Sequence, residues 1–198
     1  MARTSPRSAE KRAEILRRAA SVFRLKGFHG AGMREIAQGV GMAPGALYYY
    51  FASKDDLLHA CQLLTLERLL ASADEIVRES IDRGGSAEGR IRRLMRAHLR
   101  HSLDELGGSL AHVEFHALPP ERLAEVVAQR DRYESAWRRI VENGIEKGEF
   151  RTANAKLATL TLLGALNWAA IWWRPDGEQS PDELATAMAD TLLGGLKR

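Results

Sequence analysis

Met33-Arg34-Glu35-Ile36-Ala37-Gln38-Gly39-Val40-Gly41-Met42-Ala43-Pro44-Gly45-Ala46-Leu47-Tyr48-Tyr49-Tyr50-Phe51 reads as two short helices joined by a tight turn. The first helix covers Met33 to Gln38, and Gly39-Val40-Gly41 breaks it. Pro44 opens the second, because the first position of a helix needs no N–H. Ile36 and Ala37 on one helix can pack on Leu47 of the other, with Val40 or Met42 plugging the angle between them. Gly41 supplies the backbone freedom a sharp turn needs. This is the outline of a helix-turn-helix, whose second helix enters a DNA major groove while neighbouring groups grip phosphates.

The second helix is small at its start and aromatic beyond it. Small residues let the backbone approach base edges, and tyrosine hydroxyls reach phosphates. Tyr48, Tyr49, Tyr50 and Phe51 are consecutive, so they cannot all face one core, and at least one pair must point outward. Lys54 adds a charge just past this helix, Arg34 lies on the first, and Arg3 and Arg7 occupy a basic N-terminal tail. The charge distribution agrees. Residues 1–54 hold ten Lys/Arg against three Glu, a net +7; the whole chain carries +3, which leaves −4 for the remainder. The front end is suited to a polyanion and the rear is not.

Around this segment the 198 residues are helical almost throughout, with no alternating strand pattern. Ile15, Ala19, Val22 and Phe23 form an apolar stripe that Gly27 stops, and Ser8 is the expected N-cap. Ser53-Lys54-Asp55-Asp56 resembles a capping box and starts a long helix to about Asp82. Further helices are expected from Ser86 to about Leu106, Ser109 to Ala117, Pro119 to Lys147, Ala153 to Trp173 and Pro181 to Leu196. That makes an all-α chain of about nine helices, three of them short. A boundary near residue 53 separates a three-helix DNA-binding domain (1–53) from a ligand-binding and dimerisation domain (54–198).

Cys61 is the only cysteine, which excludes an internal disulfide and a cysteine zinc site and fits a reducing cytoplasm. Met1–Ala9 is polar and basic, unlike a secretory leader. Leu157–Trp173 is uncharged but falls short of a membrane span and is interrupted by Thr159, Thr161 and Asn167, so it reads as an interior helix.

Gly27-Phe28, Met33-Arg34-Glu35-Ile36-Ala37, Gly41-Met42 and Pro44 through Phe51, followed by Ser53-Lys54-Asp55-Asp56-Leu57, are similar to the DNA-binding signature of the TetR family of repressors. The resemblance implies a homodimer on double-stranded operator DNA whose recognition helices are Pro44–Tyr50. It places backbone contacts at Tyr48, Tyr49 and Lys54 and base-edge contacts near Gly45 and Ala46. It also implies repression relieved by a small ligand. Two positions depart from the family pattern: Ala31-Gly32 and Ala43 stand where members commonly carry a hydroxyl, each change removing a cap worth ~1 kcal/mol.

In the rear, Leu157–Trp173 is apolar nearly all round and needs cover that a partner subunit would provide; Ala158, Gly164 and Ala165 permit close approach, and Leu184, Met188, Leu192 and Leu193 give the last helix its own stripe. Leu123, Val126, Arg130, Tyr133, Trp137 and Ile140 recur at helical spacing, which places the Arg130 cation in an apolar seam, paired internally (with Glu114) or facing an anionic ligand. His98, His112, Phe115, His116, Arg130, Tyr133, Trp137, Trp168 and Trp172 are the candidate ligand-lining residues. The stretches Asn167–Gly177 and Arg139–Arg151 are similar to TetR members that control fatty-acid or steroid breakdown, which implies an acyl-CoA or another hydrophobic effector. No cofactor or resident metal is expected. The alternative is a small helical metal-dependent hydrolase using His112 and His116, which share a helix face at i, i+4; the zinc-protease order of residues is absent, and no nucleophile–base spacing is visible.

Overall fold

The computed structural model describes residues 6–83, 85–103 and 115–196. Among them lie eight α-helices and no strand: α1 (Pro6–Gly30), α2 (Met33–Gly39), α3 (Pro44–Tyr50), α4 (Lys54–Arg83), α5 (Ala87–Leu103), α6 (Pro120–Glu146), α7 (Ala155–Trp172) and α8 (Pro181–Gly194). A 3-10 turn, Phe115–Ala117, stands at the end of the helix expected over Ser109 to Ala117, whose remaining residues, with His112 and Glu114, lie outside the described residues. Arg3 does as well.

Local chemistry sets the helix ends. α1 already includes Pro6, so Ser8 sits within its first turn and is not the N-cap; a proline is favourable there because its ring presets the helical φ. Gly27 interrupts α1 with φ 69° and ψ 171°, a conformation closed to side chains, and the helix resumes to Gly30. Ser53 Oγ accepts from the Asp56 N–H at 3.1 Å and starts α4. Asn154 caps α7, accepting from the Leu157 N–H at 2.9 Å. Ser180 and Glu183 form the full reciprocal box ahead of Pro181 at the start of α8.

The chain forms two compact units. The first comprises residues 1–65 with 104–126. Its core holds Ile15, Ala19, Val22 and Phe23 of α1, Ile36 and Ala37 of α2, Leu47 of α3, and Leu57 and Leu58 of α4. Cys61 is buried there with its thiol 3.7 Å from the Leu16 carbonyl, and burial pushes its pKa up to about 12.

The second unit comprises residues 66–103 with 127–198. Its core draws on Leu69, Ala73 and Ile76 of α4, Ile91, Leu94 and Leu99 of α5, Trp137, Ile140 and Val141 of α6, and the inner faces of α7 and α8. Arg92 bonds Asp190 at 2.7 Å while Arg100 pairs with Asp182, so α5 and α8 run antiparallel. Arg90 reaches Asn143 of α6 at 2.6 Å. No helix among the described residues is long and apolar enough to cross a membrane.

Candidate nucleic-acid interface and ligand cluster

The joint between α2 and α3 follows from its residues. Val40, Gly41 and Met42 donate N–H bonds back to Ala37, Gln38 and Ala37 at 3.2, 3.1 and 2.9 Å, and Gly41 adopts φ +65°. Ile36, Ala37 and Leu47 are fully buried, and Val40 is the buried plug while Met42 is half-exposed. With Leu47 fixed inward, helical periodicity turns Gly45, Ala46, Tyr48 and Tyr49 outward, and Pro44 is exposed at the helix start. Tyr49 is 85% exposed and Tyr48 53%. Phe51 returns to the core. Neither Gly32 nor Ala43 offers a side-chain cap, so the first turns of α2 and α3 carry no side-chain acceptor.

Much of the basic front end is engaged internally. Lys11 Nζ donates to the Val40 carbonyl at 2.7 Å, closing the α2 C-terminus. The Arg12 guanidinium lies 4.7 Å from the centre of the Phe51 ring. Arg18 lies against Gly39, where an added Cβ would come within 2.1 Å of its Nε. Lys26 pairs with Glu35 at 2.8 Å. Lys54, expected as a DNA contact, donates to the Phe28 and Ala31 carbonyls at 2.8 and 3.2 Å and sits over the Phe28 ring; its ammonium serves the turn after Gly27. Arg34 is exposed.

In the second unit His98, Tyr133 and Trp137 come together as expected. His98 Nδ1 is 3.2 Å from the Tyr133 hydroxyl, and the three ring centres are 5.9 to 6.3 Å apart. Burial lowers the His98 pKa to about 3, with the His101 and Arg130 charges acting in the same direction and a hydrogen bond to Asn167 opposing them. The imidazole is therefore neutral and polar inside an apolar core. Burial also pushes the Tyr133 phenol up and the Arg130 guanidinium down from their ordinary values. Asn167 belongs to this group, although it is not among the candidate ligand-lining residues expected from the sequence. The signal was available: one amide inside a long apolar helix needs a polar partner.

The remaining candidates are not gathered there. Trp168 is 66% exposed and Trp172 48%, on the outer face of α7 with Leu157, Leu160 and Ile171. The reason is helical phase: Leu162, Leu166 and Ala169 take the inward side. Phe115 and His116 belong to the first unit, their rings 3.9 Å apart, with His116 exposed. Among the described residues no three His, Cys, Asp or Glu side chains gather in a metal-binding arrangement.

Residues 15–61 match the family model described as bacterial regulatory proteins, tetR family, and residues 84–196 match the tetracyclin repressor-like C-terminal domain. The chain belongs to the TetR family. Family membership makes it a DNA-binding transcriptional regulator and replaces the hydrolase reading. Its relatives include the HTH-type transcriptional repressor KstR2 of Rhodococcus jostii, 26% identical over 94% of this chain and 91% of that one. The crystal structure of the TetR regulator PfmR from Thermus thermophilus superposes with TM-score 0.82, at 34% identity over 93% of this chain and 99% of that one. AibR, solved with isovaleryl coenzyme A and operator DNA, superposes with TM-score 0.78 at 22% identity over 91% of this chain and 97% of that one, which shows a shared fold.

Proposed function

We propose that this TetR-family regulator is a cytoplasmic repressor, not an enzyme, that holds double-stranded operator DNA as a homodimer and is released by a hydrophobic effector of the acyl-CoA class. The outward face of α3 is the observation that carries the DNA half of this reading. Gly45 has no atom within 4 Å of where a Cβ would stand, and Ala46 is exposed beside it, so the backbone is free to approach base edges. Tyr48 and Tyr49 offer hydroxyls to phosphate oxygens, and the exposed Arg34 adds charge along the same reading head. Residues 1–53 act as that head and 54–198 as the dimerising, ligand-receiving body. Twin heads then meet successive major grooves of a near-palindromic site.

The effector half rests on the His98–Tyr133–Trp137–Asn167 group. A neutral imidazole, a phenol, an indole and an amide inside an aliphatic core suit a neutral carbonyl on an apolar chain, and the desolvated Arg130 on the same helix suits a phosphate. The isovaleryl coenzyme A bound by AibR, and the repressor names of the full-length relatives, support this reading.

Selection of duplexes from a random pool, followed by gel shift, tests the DNA half; failure to enrich any duplex at low salt overturns it. Titration of the protein–duplex complex with a panel of acyl-CoAs, read by release of DNA and by thermal shift, tests the effector half. Release by none of them overturns it.

A further inference from the structure

The first turn of α6 lies in the same compact unit as α1–α3 and the start of α4. Pro119 and Pro120 launch this turn, with the Leu123 N–H bonded to the Pro119 carbonyl at 2.9 Å. From it, Arg122 Nη2 reaches Asp56 Oδ1 of α4 at 3.2 Å. One turn further along both helices, Glu125 Oε2 lies 3.0 Å from His59 Nε2. The two pairs keep the same register, 56 with 122 and 59 with 125, so the two helix starts are joined side by side.

Asp56 has a second duty. Its other oxygen, Oδ2, accepts the N–H of Ala52 at 3.0 Å, and its own N–H donates to Ser53 Oγ at 3.1 Å. Ala52 and Ser53 are the residues that connect the recognition helix α3 to α4. One carboxylate thus holds the joint below the recognition helix with one oxygen and the α6 arginine with the other. The Arg122 Nη1 is shut off from water with no hydrogen-bond partner among the described residues, and among those residues Asp56 is the carboxylate paired with its guanidinium.

We propose that Arg122 is a positioning residue for DNA recognition: through Asp56 it sets the orientation of the α3–α4 joint, and with it the presentation of Tyr48 and Tyr49, while touching no DNA. The inference rests on the DNA-binding reading of α3 and not on the identity of the effector.

The experiment uses the full-length protein and a duplex that the wild-type protein has enriched from a random pool. Arg122→Ala weakens binding to that duplex about 5-fold, the scale of a partly buried ion pair. Asp56→Asn keeps an acceptor for Ala52 but removes the charge; it gives a similar loss, and the double variant is no worse than either single one. Arg122→Lys restores most of the affinity. The slope of log affinity against log salt stays at the wild-type value in all of them, whereas loss of a direct phosphate contact lowers it by about 0.9. Thermal melting checks that each variant is folded; should Arg122→Ala fail there, Asp56→Asn and Arg122→Lys carry the comparison. Wild-type affinity in Arg122→Ala and Asp56→Asn, additive losses, or a reduced salt slope overturns the proposal. Failure of the wild-type protein to enrich any duplex overturns the DNA reading instead.

Discussion

Two aromatic faces project from this protein, and they differ in what surrounds them. On α3, Tyr48 and Tyr49 stand among Pro44, Gly45 and Ala46, with Arg34 exposed nearby in sequence. On α7, Trp168 and Trp172 stand among Leu157, Leu160 and Ile171. Each tyrosine ends in a hydroxyl and has small or charged neighbours, so its ideal counterpart is a polar, charged surface with accessible edges. The tryptophans continue an apolar stripe along one helix, and such a stripe gains by burial against another protein surface. Exposure alone does not separate the two faces; their neighbours do.

The sharpest way to break this contrast is to place charge on the α7 stripe. Leu160→Glu combined with Trp168→Glu should convert a dimer into monomers by light scattering. Losing the second head should then weaken binding to an enriched duplex on the order of 100-fold. If the double variant remains dimeric, the α7 face is not the subunit interface. Tyr49→Ala should leave the dimer intact and cost about tenfold in DNA affinity, the scale of a hydrogen bond to a charged group. An unchanged gel shift would remove Tyr49 from the DNA surface.

A third test concerns the polar group buried in the second unit. His98 titrates near 3 in the folded chain and near 6.5 when unfolded. Well above pH 6.5 the imidazole is neutral in both states and contributes no pH dependence. As the pH falls from about 6.5 towards 3, the unfolded chain takes up a proton that the folded chain refuses, and stability drops by up to about 1.4 kcal/mol per pH unit. Denaturant melts between pH 7.5 and 5 should show this decline, and His98→Gln should flatten it. The smallest effect is expected at Arg100 and Asp182, whose pair is largely exposed. Arg100→Ala should cost about 0.5 kcal/mol or less, and high salt should erase the difference.

The helix-turn-helix was legible from residues because short-range rules specify it: Pro44 begins a helix, Gly41 permits the turn, and Ile36, Ala37 and Leu47 repeat on one face. The N-cap at Ser53 and the capping box at Ser180 were legible for the same reason; at Ser53 the box is not closed, because the Asp56 carboxylate takes the Ala52 N–H instead. The basic front end was legible only as a total. Lys11, Lys26 and Lys54 count towards the +7, yet each binds a carbonyl or carboxylate of its own unit. Which cation meets a carbonyl from residues 23 to 29 positions away depends on how α1, α2 and α4 pack, and no local pattern records that. The candidate ligand residues divide in the same way. His98, Tyr133 and Trp137 meet across two helices, Asn167 joins from a third, and Trp168, its neighbour in sequence, points the other way.

Sequence alone determined that the chain is helical, where most helices start, which residues form the reading turn, and that charge is concentrated at the front. These depend on interactions within a few residues, whose strength is the same wherever the segment is placed. Only the tertiary structure decided which cations remain outward, which aromatics are enclosed, and that the first turn of α6 meets the joint below the recognition helix. Those outcomes depend on the phase of one helix against another, where a rotation of about 100° per residue exchanges an enclosed side chain for an exposed one.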